Sequence, residues 1–163
     1  MPVLPGLWRF ALSLSGRPDV ADDIVQATCV RAIEKAHQFQ QGTRLEAWVF
    51  TICRTVWLNE LRRESIRRTD GLEAVGAADM PDGTLDTETN IFAAEVFTEV
   101  MRLPEAIRNT TVLVYVEGFT YREAAAVLDV PIGTVMSRLA AARKKLAPLN
   151  AAPRVVEPRK DAR

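Results

Sequence analysis

The chain has 163 residues, enough for one ordinary domain or two small ones, and its 48% apolar content supports a real core rather than wholesale disorder. Its 21 Lys and Arg balance 21 Asp and Glu; no apolar run nears the ~20 residues that span a bilayer, and no basic stretch leads into a signal-peptide core, so a cytoplasmic protein without membrane insertion is expected. Cys29 and Cys53 lie in apolar, helix-like stretches and are expected to be reduced core thiols rather than a disulfide or metal site; His37 is the lone histidine, so a zinc site lacks its parts, histidine-based catalysis is disfavoured, and neither a cofactor nor an enzyme is expected.

Three helices are predicted in the first half. Leu7 to Leu14 is short and apolar and is stopped by Ser15-Gly16 and Pro18. A second helix runs from about Val20 to Ala36, with Asp22 and Asp23 in the turn where the helix dipole favours acids. Its apolar stripe reads Val25, Cys29, Ala32, Ile33 and Ala36. Gln41-Gly42-Thr43 breaks the chain, and a third helix extends from about Leu45 to Arg63 or Arg68, its core side being Trp48, Val49, Ile52, Val56 and Leu61. Periodicity disappears from Thr69 to about Thr89, where Gly, Ala, Asp and Pro dominate and a linker is expected. A helical pattern resumes from Ile91 to Met101. Leu103-Pro104-Glu105 starts another helix, and Gly118 is its expected left-handed cap.

Thr120 to Glu123 spells a capping box ahead of a short helix, Tyr121 to Leu128. Asp129-Val130-Pro131 turns the chain into a last helix, Ile132 to about Leu146, with an inward stripe of Ile132, Val135, Leu139, Ala142 and Leu146. Two short helices joined by such a turn form a helix-turn-helix, whose second helix enters the major groove. Thr134, Ser137, Arg138, Ala141 and Lys144 then face outward, with Lys145 beside them and no acid between Pro131 and Leu146. The tail after Pro148 is expected to fray. Zero net charge therefore conceals two basic patches, Leu61 to Arg68 and Arg138 to Lys145, around a stretch from Thr69 to Met101 that has eight acids and no Lys or Arg.

Leu103-Pro104, Tyr115 to Ala125 and Pro131 to Leu139 resemble region 4 of extracytoplasmic-function sigma factors of the sigma-70 type. Ala21 to Thr28, Ala47 to Arg54 and Asn59 to Arg63 resemble region 2 of the same family, in the family's order and separations. The resemblance implies an all-α fold of two small helical domains: region 2 over 1–68, an acidic linker over 69–89, region 4 over 90–148 and a flexible tail over 149–163. It implies RNA polymerase core (β′ clamp and β flap) and promoter DNA as partners, with an anti-sigma factor as regulator.

Residue by residue, Asp22, Asp23 and Gln26 would contact the clamp, although dipole complementation explains the acids equally well. Gln40, Gly42, Thr43 and Arg44 would hold a flipped base of the −10 element, while Arg54, Asn59, Arg62 and Arg63 guide the strand. Thr134, Ser137, Arg138, Ala141, Lys144 and Lys145 would read the −35 element. The linker would thread toward the polymerase cleft, or merely act as a soluble tether. Trp48 is read as core, and Phe50 is left open between core and base stacking.

Thr55, Trp57, Asn59 and Asn109-Thr110-Thr111 depart from the family pattern, which unsettles the −10 preference and points to a surface adapted to a particular partner. Two other readings remain at this point: a conventional helix-turn-helix regulator, which would normally dimerise, and a sigma mimic that captures an anti-sigma factor without touching DNA.

Overall fold

Helix α1 (Val3–Ser15) is apolar nearly all round in the computed structural model, which describes residues 3–69 and 88–151. Five consecutive residues, Phe10 to Leu14, are buried, so α1 must have neighbours on several flanks. α2 (Pro18–Glu34) and α3 (Leu45–Thr69) pack on it from one side. Gly16, at φ +69°, ends α1 and donates its N–H to Leu12 O at 2.8 Å. A short 3₁₀ turn, Ala36–Gln38, leads from α2 into the loop before α3.

The inward face of α2 differs from the expected stripe. Ala21, Ile24 and Thr28 are buried, whereas Ile33 is 78% exposed and Ala36 is exposed. The core line is therefore rotated about the helix axis. Thr28 can occupy it because its hydroxyl donates to Ile24 O at 2.6 Å, so no donor is left unpaired. On α3 the core residues are Val49, Phe50, Ile52, Cys53 and Trp57, while Leu61 is exposed. Trp57 and the Asn109-Thr110-Thr111 run are buried, so these departures from the family pattern alter packing and not an outer surface. Thr110 and Thr111 satisfy their hydroxyls on Ala106 O and Ile107 O, both at 2.8 Å.

In the second half, α4 (Glu88–Met101) precedes α5 (Glu105–Thr111), which widens into a π-helical stretch, Val112–Val116. Gly118 takes φ +69° as expected, and the Phe119 N–H reaches back to Leu113 O at 3.0 Å. α6 (Tyr121–Leu128) opens with the expected capping box: Glu123 N–H donates to Thr120 Oγ1 at 3.2 Å and Thr120 N–H to Glu123 Oε2 at 2.7 Å. α6 ends at Asp129 in the left-handed region (φ 50°), with Val130 N–H bonded to Ala125 O at 3.1 Å. α7 (Ile132–Ala151) follows, and its axis turns 105° from that of α6, within the helix-turn-helix range. The expected linker falls largely on residues 70–87, and most of the expected tail beyond 151; both lie outside the described residues.

One apolar core runs through both halves. It joins Leu7, Phe10, Val49, Phe50 and Trp57 to Leu113, Phe119, Val127, Val135 and Leu139. Phe50, left open by its sequence, is its centre: it stacks on Phe10 (centroids 5.3 Å) and meets Phe119 (5.0 Å). Burying a phenylalanine contributes about 1.5–3 kcal/mol, so Phe119 is a substantial anchor between the halves. Arg108 completes the joint between helix ends, donating to Ser13 O at 2.7 Å and Met101 O at 3.2 Å. Burial pushes its pKa down, countered by Glu105.

Candidate nucleic-acid interface

The outward face of α7 is laid out as the spacing predicts, with one exception. Val135, Leu139 and Ala142 are fully buried, but Ile132, in the first turn of α7, is 48% exposed. Ser137, Lys144 and Lys145 are exposed; Thr134, Arg138 and Ala141 are half-buried at the edge of the same face. Ser137 Oγ donates to Thr134 O at 3.0 Å, within the first turns of the helix. Arg138, Lys144 and Lys145 form no ion pair with the described residues, which leaves their charge directed to solvent. Arg143 differs: it donates to the Tyr115 hydroxyl at 3.0 Å and so belongs to a contact across the domain.

The second candidate surface is the loop before α3. Gly42 adopts φ +95°, which a side chain rarely tolerates, and Thr43 folds back with its N–H (3.2 Å) and hydroxyl (2.7 Å) on Gln40 O. Gln40, Thr43 and Arg44 thereby form one wall of a cleft of about 530 Å³. Trp48 also lines it, half-buried and tilted against Phe39 at 5.4 Å, so it serves the core and the cleft together. The opposite wall is α6, through Glu123, Ala126 and Val127. Arg44 crosses toward that wall: its guanidinium lies 4.6 Å from the Phe119 ring centroid and 3.4 Å from Glu123 Oε2. Desolvation pushes the Glu123 carboxyl up, but the Thr120 backbone and hydroxyl bonds and the Arg44 charge hold it below the usual carboxylate range.

Arg54, Asn59, Arg62 and Arg63 descend α3 away from this cleft. Arg62 donates to Asn59 Oδ1 at 3.1 Å, and Arg63 pairs with Glu60 at 3.4 Å. Asn59 and Arg63 line a separate groove of about 290 Å³ between α2 and α3, which Asp23 also borders. The structure thus separates the loop residues from Asn59 and Arg63 at the groove, while Arg54 and Arg62 line neither.

Asp22, Asp23 and Gln26 are exposed on α2. Asp22 is not free: the Trp8 indole N–H donates to its Oδ1 at 2.7 Å. Asp23 and Gln26 form no side-chain hydrogen bond with the described residues. Trp8 was not singled out from the sequence, nor were Arg9 and Glu117, which form a bidentate pair at 2.7 and 3.1 Å between α1 and the turn before α6. No group of three or more metal-ligating side chains occurs among the described residues, and no single helix there is long and apolar enough to cross a membrane.

Family comparison agrees with this layout. Residues 1–66 match Sigma-70 region 2, and residues 96–146 match Sigma-70 region 4. The ECF RNA polymerase sigma factor EcfG of Rhodopseudomonas palustris is 38% identical over 151 residues, covering 91% of this chain and 81% of the relative. Among solved structures, the sigma factor RpoE in complex with the anti-sigma factor NepR from Bartonella quintana is 34% identical with a TM-score of 0.71, over 93% of this chain and 94% of that one. CnrH, solved with the cytosolic domain of CnrY, is 25% identical with a TM-score of 0.59, over 91% and 82%. With both family regions in order along a helix-turn-helix fold, this chain belongs to the extracytoplasmic-function sigma factors.

Proposed function

We propose that this sigma factor acts in the cytoplasm by binding rather than catalysis, holding core polymerase on the outer face of α2 and reading promoter DNA with two separate surfaces. The observation that carries the reading is the α6–α7 corner of 105° with its acid-free outer face, which suits the major groove. There Thr134, Ser137, Arg138, Ala141, Lys144 and Lys145 read the −35 element: Arg138 reaches a base edge or phosphate, and the lysines pair with phosphates. Gln40, Gly42, Thr43 and Arg44 take the −10 base, and Arg54, Asn59, Arg62 and Arg63 track its strand.

Asp23 and Gln26, with Asp22 set by Trp8, present acids and an amide to cationic groups of the polymerase clamp, and region 4 meets the β flap. The working division of the chain is region 2 over 1–68, linker over 69–89, region 4 over 90–148 and tail over 149–163. RpoE of Bartonella quintana is bound by the anti-sigma factor NepR, and an inhibitor of that kind is the expected regulator here.

The test is a titration of purified bacterial core polymerase with this chain, followed by transcription from a promoter library. Saturable binding with promoter-selective initiation is the expected result. Tight duplex binding without any polymerase association would instead mark a conventional regulator.

A further inference from the structure

The π-helical stretch after α5 brings an aromatic side chain out of the core. Within it the Glu117 N–H bonds to Val112 O at 3.0 Å, five residues back. Such turns are rare and occur frequently at functional sites. Val112 and Leu113 are fully buried there, whereas Tyr115 is 50% exposed. The Tyr115 hydroxyl accepts a hydrogen bond from Arg143 of α7 at 3.0 Å. Tyr121, the first residue of α6 and also exposed, is a second hydrogen-bond partner of the same guanidinium. Three elements thus bring two phenols and one cation together at the surface.

A structural brace does not account for this cluster. The π stretch, α6 and α7 are already joined by the buried Leu113, Val127, Val135 and Leu139, and a solvent-exposed hydrogen bond adds little to such a core. Arg9 and Arg44 face Glu117 and Glu123, but Arg143 pairs with no carboxylate among the described residues, so its charge stays uncompensated. Each phenol, having accepted from Arg143, still has its own O–H to donate, and the guanidinium has further N–H groups to spare. The cluster therefore offers donors around one positive charge, the complement of a phosphate. Lys144 and Lys145 beside it favour a polyanion over a lone carboxylate. In a helix-turn-helix the first helix crosses the sugar-phosphate backbone while the second enters the groove, and this cluster joins the start of α6 to α7.

We propose that Tyr115, Tyr121 and Arg143 form a clasp for one backbone phosphate of the strand that borders the −35 major groove. The inference rests on the assignment of α7 to the −35 duplex. Arg143 supplies the charge and a planar fork, and the two phenols fix the direction of that fork before DNA arrives, so less freedom is lost on binding. The phenol hydroxyls donate to the remaining phosphate oxygens. A contact of this kind sets the register of α7 on the duplex and adds affinity without reading sequence.

The experiment reconstitutes core polymerase with the full chain and measures binding to promoter duplexes that carry one neutral methylphosphonate linkage at a time across the −35 element. One linkage at the edge of the element should weaken binding of the unaltered chain about fivefold, and that penalty should vanish in Arg143→Gln. Arg143→Gln should also lower the slope of log affinity against log salt by about one. Tyr115→Phe and Tyr121→Phe keep the charge, so each should weaken binding about threefold with the salt slope unchanged. None of the three variants should alter the preferred −35 bases. If every methylphosphonate penalty of the unaltered chain persists in Arg143→Gln, the clasp is overturned while the −35 assignment stands. A change in base preference would make the cluster a reader of bases and overturns the clasp equally. If no linkage in the −35 element matters to the unaltered chain, the assignment of α7 falls, and the clasp with it.

Discussion

The two surfaces proposed to meet nucleic acid, the loop before α3 and the outer face of α7, are in different conditions. On α7, Arg138, Lys144 and Lys145 are unpaired among the described residues, and the face is open. In the loop, Arg44 contacts Glu123 and Phe119 of the other half as well as Glu46 of its own. The difference follows from the packing beneath each. α7 is anchored from behind by Val135, Leu139 and Ala142, so its front needs no partner. The loop precedes Phe50, whose ring lies between Phe10 and Phe119, and that stack draws α6 over it. Gln40 to Arg44 are nonetheless exposed at the loop surface, so the contrast lies in what Arg44 touches.

The largest effect should come from breaking the stack. Phe119→Ala should cost about 3–5 kcal/mol in chemical denaturation, as expected for a buried aromatic replaced by a cavity. Next is the open face. Arg138→Ala should weaken −35 duplex binding about tenfold or more with polymerase association unchanged, whereas Asp23→Ala with Gln26→Ala should weaken association itself; binding titrations separate the two.

The third prediction concerns thiols. At pH 8 Cys29 should alkylate while Cys53, with its pKa near 12 through burial, stays protonated and intact in mass spectrometry of the folded chain. Fourth, acid should weaken the capping box at the start of α6. Glu123 has a lowered pKa in the fold, so its contribution is complete above the ordinary carboxylate pKa and is lost as pH falls through the lower folded value. Chemical denaturation at a series of acid pH values should show stability falling across that range, and Glu123→Gln should flatten that part of the profile. The smallest effect is expected for Trp57→Phe, within about 1 kcal/mol. The Trp57 indole N–H is buried without a hydrogen-bond partner among the described residues, so its removal offsets the lost volume.

Much of the second half was legible because its signals are local. A capping box, a left-handed Gly118 and the Asp129 turn each depend on a few adjacent residues, and each is found in place. The individual helices followed from periodicity in the same way, and the all-α architecture from the resemblance. The faces of α2 and α3 were less legible. Thr28 and Phe50 are buried and Ile33 and Leu61 exposed because neighbouring helices, not residue type, decide which side is inward. α1 did carry an unread signal: Phe10-Ala11-Leu12-Ser13-Leu14 has no charged face, and such a helix requires cover on more sides than a three-helix unit provides. The Arg9–Glu117 and Arg44–Glu123 pairs span 108 and 79 residues, and no local pattern connects their partners.

The most direct test of two distinct reading surfaces is transcription by reconstituted holoenzyme from a library randomised at both promoter elements, with Arg44→Ala and Arg138→Ala compared to the unaltered chain. Arg44→Ala should change the selected −10 sequences alone, and Arg138→Ala the −35 sequences alone. If both variants shift the same element, or neither shifts any, the assignment of the loop and of α7 to separate promoter elements is contradicted.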